Sequence, residues 1–506
     1  MINHISSIQS NRPIQNAKLV AYLSAFLAIF LAGCNFLQYT AKPIEPVANT
    51  LKFESKDPLG QSFNEYLLSN GYKVEQLPIA VWGLDELTFC ALFFHPSLDV
   101  ARAQWRAAEL SKLAAAERPI PNLNGNLAHS NRANGDISPF AFGLSIDIPI
   151  ETASKRDIRI ENAHHLSQSA KLEIAQIAWE LRNQIAQTLI EYQLNAYQIK
   201  SLNEEQLRRQ EIVAIYQKRV ALGAASNVEL STSKLQLQTT TAELNAYEQT
   251  KLVLLSKLAS HLGLPLNRVA KMTLVEGNNN LQFSDEQTWI QQNWTNQISD
   301  NSTLPAGAQT TALLNRLDIR IALEKYAVAE AKLKLEIAKQ YPDITISPGY
   351  AYEFGDRIWS VGLSSLFTLL NKNKVAITEA TQLREVEAAQ FTALQSKVIA
   401  EVNLANAQVI QAKLALDNQQ QLFKQEQINS QRMTRQFAAG EIDRLALTFV
   451  KLEDNAAEKS LALGYFQLKT ALNTLENTLQ KPLISSHLKA TALEPPEIKG
   501  EMKNEP

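Results

Sequence analysis

Apolar residues recur at steps of three and four along two long stretches of the chain. Ile174, Ile177, Leu181, Ile185, Leu189 and Tyr192 form one stripe. Leu394, Val398, Val402, Ala405, Val409, Ala412 and Leu416 form another. Such steps put side chains on one narrow face of an α-helix, as coiled-coil packing requires. Neither stretch is interrupted, since no glycine or proline occurs from Glu151 to Leu222 or from Leu363 to Ala439. At about 1.5 Å per residue, a helix filling most of either would be ~100 Å long. Ordinary globular helices run about 3–4 turns. The stripes by themselves also fit the core of a plain helical bundle.

Elsewhere the period changes to two. Phe140, Phe142, Leu144, Ile146 and Ile148 occupy one face, and Gly143, Ser145 and Asp147 the other. This alternation marks a strand with one apolar face. A short partner, Asn122 to Leu127, precedes it across a turn at Asn131 to Asp136. Farther on, Ile344-Thr345-Ile346 and Tyr350 to Phe354 lead to a turn expected at Gly355-Asp356. Ile358 to Leu363 then return with Trp359, Val361 and Leu363 on one face. Apolar faces rich in aromatics, opposed by small or polar ones, are the pattern of a membrane β-barrel wall. Four strands cannot close a barrel, and open edges are not tolerated in lipid, so a membrane role demands an oligomer. Three copies would supply twelve strands. A small soluble β-layer capping a bundle is the alternative.

The chain repeats itself. Ala101 and Ala322 each open an alanine-rich helical segment, and each lies twenty residues before a proline, Pro121 and Pro342. Ala221-Leu222-Gly223 precedes Val228-Glu229-Leu230 much as Ala438-Ala439-Gly440 precedes Leu445-Ala446-Leu447. Both halves read helix, proline, strand pair, long helix, glycine turn, long helix. The expected fold is mainly α with a small transmembrane β part, built as duplicated long-helix hairpins. The segments expected are a signal peptide over 1–33, an N-terminal lipidated segment over 34–83, and a first repeat over 84–275. A polar connection over 276–312, a second repeat over 313–481 and a flexible tail over 482–506 follow.

The amino terminus reads as an address. Arg12 and Lys18 precede an apolar run from Leu19 to Leu31 that ends Leu31-Ala32-Gly33-Cys34. The run is too short to span a bilayer and fits a secretory signal. Its end resembles a bacterial lipobox, in which the cysteine is acylated, and Asn35 in place of Asp implies the outer membrane. A covalent lipid on Cys34 is therefore expected, with no other cofactor. The second of the 2 cysteines, Cys90, lies in the apolar stretch Leu87 to Leu92 and reads as a buried structural residue.

Composition narrows the class. Only 17 glycines and 18 prolines occur in 506 residues, which favours long regular elements. The mean hydropathy of −0.18 excludes a polytopic helical membrane protein. The near balance of 49 basic and 51 acidic residues excludes a strongly basic nucleic-acid binder. No phosphate loop, dinucleotide fingerprint, zinc motif or nucleophile–base cluster is present, so no enzyme is expected. His164 and His165 are adjacent, diverge by about 100° on a helix and read as a surface pair.

The order of these features is similar to that of the TolC family of outer-membrane efflux and secretion ducts. The resemblance covers roughly Leu84 to Leu483. It rests on Leu84-Asp85-Glu86-Leu87-Thr88, on His95-Pro96-Ser97-Leu98 where the family has Asn-Pro, and on Gly143 to Ile150 followed by Lys155-Arg156. It implies a homotrimer with a twelve-stranded pore in outer-membrane lipid and a helical tunnel below it. It also implies a periplasmic adaptor and a proton- or ATP-driven inner-membrane pump as partners, with no nucleic acid. Leu222, Gly223, Ala439 and Gly440 match the family's tips, which meet the adaptor. The aspartates usual six and nine residues after the second tip glycine are replaced by Ala446 and Phe449. Glu441, Asp443 and Arg444 are then candidates for the pore entrance as a charged ring, and Phe449 as an apolar constriction; a solvated hairpin end is the plain alternative. The implied function is a passive exit duct for small molecules or metal cations. A type I protein-secretion duct and a non-channel coiled-coil envelope lipoprotein are the competing readings.

Overall fold

The computed structural model describes residues 38–131, 138–275, 308–365 and 372–483. The expected signal peptide and Cys34, most of the expected first hairpin turn, most of the expected polar connection and nearly all of the expected tail lie outside these. The chain forms two compact units, one ending at Phe53 and one beginning at Glu54. In the first, α1 (Pro46–Glu54) has no buried residue.

The second unit holds the duplication. Its first half runs α2 (Gln61–Ser69), α3 (Leu84–Phe94), α4 (Pro96–Ala116), β1 (Asn122–His129), β2 (Phe140–Ile150), α5 (Lys155–Ala221), α6 (Asn227–Leu262) and the short α7 (Leu266–Val269). Its second half runs α8 (Ala308–Asn315), α9 (Leu317–Ala338), β3 (Ile344–Glu353), β4 (Asp356–Ser365), α10 (Lys374–Ala438) and α11 (Arg444–Leu479). The breaker-free stretches become α5 and α10, of 67 and 65 residues. Each spans roughly 100 Å.

Both helical stripes are buried faces. Ile174, Leu181, Ile185 and Leu189 of α5 join Leu258 and Leu262 of α6 in one core. Phe63, Leu67, Trp82 and Phe89 pack into that same core, so the stretch after Glu54 is built onto the first repeat. Cys90 is fully buried within it, and burial pushes its thiol pKa up. Val398, Val402, Ala405, Val409 and Leu416 of α10 meet Leu461, Leu468, Leu472 and Leu475 of α11 in a second core.

The four strands form one antiparallel sheet in the order β1-β2-β3-β4, which joins the repeats at β2 and β3. The last hairpin turns at Phe354-Gly355, one residue earlier than the sequence suggested. Glu353 pairs with Asp356, and both turn residues have positive φ, 50° and 115°. Two such residues match the twist of the flanking strands, and Gly355 takes the wider angle without cost.

Candidate functional site: the strand wall and the hairpin ends

The sheet has a distinct outer face. Leu144 stands opposite Tyr350, and Tyr350 opposite Trp359, while Ile148, Ile346 and Leu363 line up similarly. Phe142, Tyr350, Tyr352 and Trp359 cluster with ring centroids 4.8–6.3 Å apart. The apolar side is exposed, with Trp359 82% exposed and Leu363 74%, while on β2 the residues of the opposite side are buried or half-buried. The opposite side carries Asn124, Gly143, Ser145, Asp147, Ser347, Gly349 and Ser360 by the same register. Here Asn124 donates to the Asp147 carboxylate at 2.7 Å. In water such a sheet would expose its oily side, whereas in lipid the arrangement is the stable one. The outer edges of β1 and β4 are unpaired among the described residues. No described helix is long and apolar enough to cross a membrane.

At the far ends of the long helices the chain reverses twice. Gly223 and Gly440 have φ of +71° and +77°, and nothing lies within 4 Å of an added Cβ at either. Glycine is there for its backbone and not for want of room. Each returning helix is capped by a polar side chain. Ser226 accepts from the Glu229 N–H, and the Glu229 carboxylate accepts from the Ser226 N–H at 2.7 Å, a capping box that starts α6. Asp443 accepts from the Ala446 N–H at 2.8 Å and starts α11. Leu222 is 83% exposed beside the first turn.

The acidic and basic candidates do not form a free ring within one hairpin end. The Arg219 guanidinium on α5 donates to Asp443 at 2.6 Å, and Arg444 on α11 donates to Glu211 on α5 at 2.5 Å. Both pairs therefore cross from one repeat to the other. The Ala446 N–H and then Arg219 hold the Asp443 carboxyl below its ordinary range. Glu441 remains exposed. Phe449 is also exposed, on the face of α11 that continues through Glu453, Ala456, Ser460, Leu463 and Gln467. That face has the heptad spacing of a helix side facing away from its own hairpin.

These two pairs end a longer polar seam between α5 and α11. Trp179 donates to Asn477 at 3.0 Å, Asn473 to Asn183 at 3.0 Å and Lys469 to Gln193 at 3.0 Å. Ser201 donates to Asn455 at 3.0 Å and Lys459 to Glu205 at 3.4 Å. Arg182 and Glu476 form a buried ion pair, with Arg182 lying over the Trp179 ring. A cavity of about 260 Å³ lies along this seam, lined by Ile190, Gln193, Leu472 and Asn473 among others. His165, expected as a surface residue, bridges the repeats farther up through Glu324 at 2.7 Å. Sequence reasoning missed this seam, whose members are polar residues on otherwise amphipathic helices. Among the described residues no group of three His, Cys, Asp or Glu could hold a metal ion.

Residues 91–264 match the family model described as outer membrane efflux protein. The match lies within the first repeat. The solved outer-membrane channel OprN is similar over 79% of this chain and 90% of its own, with a TM-score of 0.62 at 16% identity. VceC from Vibrio cholerae, an outer membrane protein, is similar over 79% of this chain and 96% of its own, with a TM-score of 0.61 at 17% identity. The open state of the MtrE outer membrane channel from Neisseria gonorrhoeae is similar over 80% and 91%, with a TM-score of 0.59 at 15% identity. No curated protein matches the sequence. The resemblance to the TolC family read from sequence therefore holds, and both repeats share the outer-membrane efflux channel fold.

Proposed function

We propose that the chain is the outer-membrane component of a tripartite efflux system, working as a passive homotrimeric duct. The observation that carries this reading is the sheet, whose exposed apolar face and two unpaired edges are joined to helices of roughly 100 Å. Edge pairing β4 to β1 in three copies gives a closed twelve-stranded wall with the Asn, Ser and Gly face inward. The helices below it form a tunnel that reaches toward an inner-membrane pump, proton- or ATP-driven. A lipid on Cys34 anchors the amino terminus in the outer membrane. A periplasmic adaptor docks at the Leu222-Gly223 and Ala439-Gly440 ends. Asp443 and Arg444 are engaged across the repeat seam, so they hold the ends closed. The exposed Phe449 side chains supply the constriction as an apolar ring, which gates by excluding water. Glu441 stands free beside them and favours cations at the entrance.

The cargo is small molecules or metal cations. A secretion duct is built on the same fold, and no residue described above favours it. A non-channel tether has no use for a strand wall with one apolar face.

The test is the mass of the particle extracted from outer membranes in mild detergent, together with its conductance in planar bilayers. Three protomers per particle and discrete conductance steps are expected. A monomer without conductance overturns the duct reading. Mass spectrometry of the mature amino terminus tests Cys34 separately, and an unmodified cysteine removes the anchor without touching the duct.

A further inference from the structure

Where β2 leaves the sheet for α5, it lies beside the entry to β3 and forms a joint between the repeats. Thr152 donates its N–H to the Asp343 carboxylate at 3.0 Å and its hydroxyl to the Pro342 carbonyl at 2.8 Å. Lys155, the first residue of α5, donates to the Tyr341 carbonyl at 2.7 Å and to Asp343 at 2.7 Å. Lys155 is buried there, and Asp343 is the carboxylate that balances its charge.

The two halves of a second such joint lie on opposite edges of the sheet. The passage from β4 to α10 repeats that from β2 to α5. Ala153 and Ser154 both have φ of 55°, and Lys372 and Asn373 both have 48°. Each pair is followed by the lysine that opens the helix, Lys155 or Lys374. The entry to β1 repeats the entry to β3. Pro121 stands for Pro342, and Leu123 and Ile344 both fall on the apolar face, so Asn122 stands for Asp343. Two charges therefore differ. The Asp343 carboxylate is replaced by the Asn122 amide, and Ala153 by Lys372. Lys372 and Lys374 are both exposed. Glu336 reaches the start of α10 through Asn373 at 2.9 Å, but it is already engaged by Lys339 at 2.6 Å. On the strand side Glu117 is followed by Arg118, so that segment brings no net charge.

We propose that the joint closed between two copies is a site for a small oxyanion, held by Lys372 and Lys374 of one copy and the Asn122 amide of the next; the site rests on the homotrimeric duct reading. Pairing β4 of one copy with β1 of the next brings the two halves together on the plan of the internal joint. Lys374 is then covered as Lys155 is covered, and a cation taken out of water needs a counter-charge. Inside the chain Asp343 supplies it, whereas between copies Asn122 cannot. An oxyanion accepts from both ammonium groups in strong charge-assisted bonds. It also accepts from the amide N–H donors of Asn122, which a carboxylate at that position would not offer. Asn122 lies on the same face as Asn124 and Ser145, so three such sites open on the lumen where the strand wall meets the helices.

Inorganic phosphate is the probe. The full protein is held in mild detergent, and particle mass is followed against temperature as phosphate is raised to about 10 mM at fixed ionic strength, which keeps general screening constant. Each site at ten times its dissociation constant favours the assembled particle about tenfold, so the midpoint of subunit dissociation should rise. Asn122→Asp copies the internal joint. It should raise the midpoint without phosphate and remove the response to it. Lys374→Gln should remove the response as well. A trimer whose midpoint ignores phosphate, or a response kept in both variants, overturns the site and leaves the duct standing. A particle of one protomer overturns the duct reading and the site with it. Both positions are exposed in the single chain, and should Asn122→Asp fail to fold, Lys374→Gln still decides.

Discussion

The inside of each hairpin and the seam between hairpins are held by different physics. Between α10 and α11 the contact is Val398, Val402, Ala405 and Val409 against Leu461, Leu468 and Leu472, with Gly464 seated on Leu416. This is transfer of apolar surface out of water, strong, non-directional and spread over many residues. Between α5 and α11 the contact is largely amides, hydroxyls and ion pairs along the helices. Polar pairs add little net stability, because each replaces a bond to water. They do fix register, since a slide of one residue breaks them all. The hairpins thus behave as rigid rods, and the seam is where one rod can move on another.

The largest effect should come from breaking a rod. Val402 is fully buried between α10 and α11. Val402→Asp buries an unpaired carboxylate and should cost about 4 kcal/mol or more, seen as loss of folded protein from the membrane fraction. Tolerance of this change would mean that the hairpin core is not what holds α10 to α11.

An intermediate effect belongs to the buried pair in the seam. Arg182 and Glu476 are 5% and 12% exposed. Arg182→Met should destabilise by about 3–5 kcal/mol, because it strands a buried charge. Arg182→Met with Glu476→Leu should recover most of that loss in thermal unfolding. A double variant no better than the single one would make the pair a source of stability and erase the contrast with the hairpin interior.

How much of this was legible depended on whether the signal was local. The absence of breakers before Leu222 and Ala439 announced α5 and α10, and the glycines after them announced the turns. Alternation from Phe140 to Ile148 announced β2, because one face of a strand repeats every second residue. The turn at Phe354 was misplaced by one residue, since phenylalanine gives no sign that it will take a positive φ. The seam was not legible at all. Asn183, Gln193 and Ser201 look like solvated helix positions until a partner 250 or more residues away is brought beside them. His95 was visible as a departure from Asn-Pro, but its close approach to Gly263 depends on where α6 ends.

The smallest effect on stability, and the largest expected on function, lies at the tip. Arg219 with Asp443 and Arg444 with Glu211 are partly exposed pairs. Pairs of this kind contribute about 0–1 kcal/mol, so breaking them should barely move thermal unfolding. Asp443→Asn keeps an oxygen to cap α11 and removes only the charge that holds Arg219. In planar bilayers it should raise conductance, and Glu211→Arg alone should do the same. Glu211→Arg combined with Arg444→Glu restores a pair of opposite sign and should close the channel again. The Asp443 carboxyl is held below its ordinary range, so this pair's contribution is present above the ordinary carboxyl value of 3.8 and is lost only as pH falls through the lower folded value. Mild acid should therefore leave the tip shut. A conductance unchanged by all three variants would place the closing contact elsewhere, with Phe449→Ala the next substitution to record.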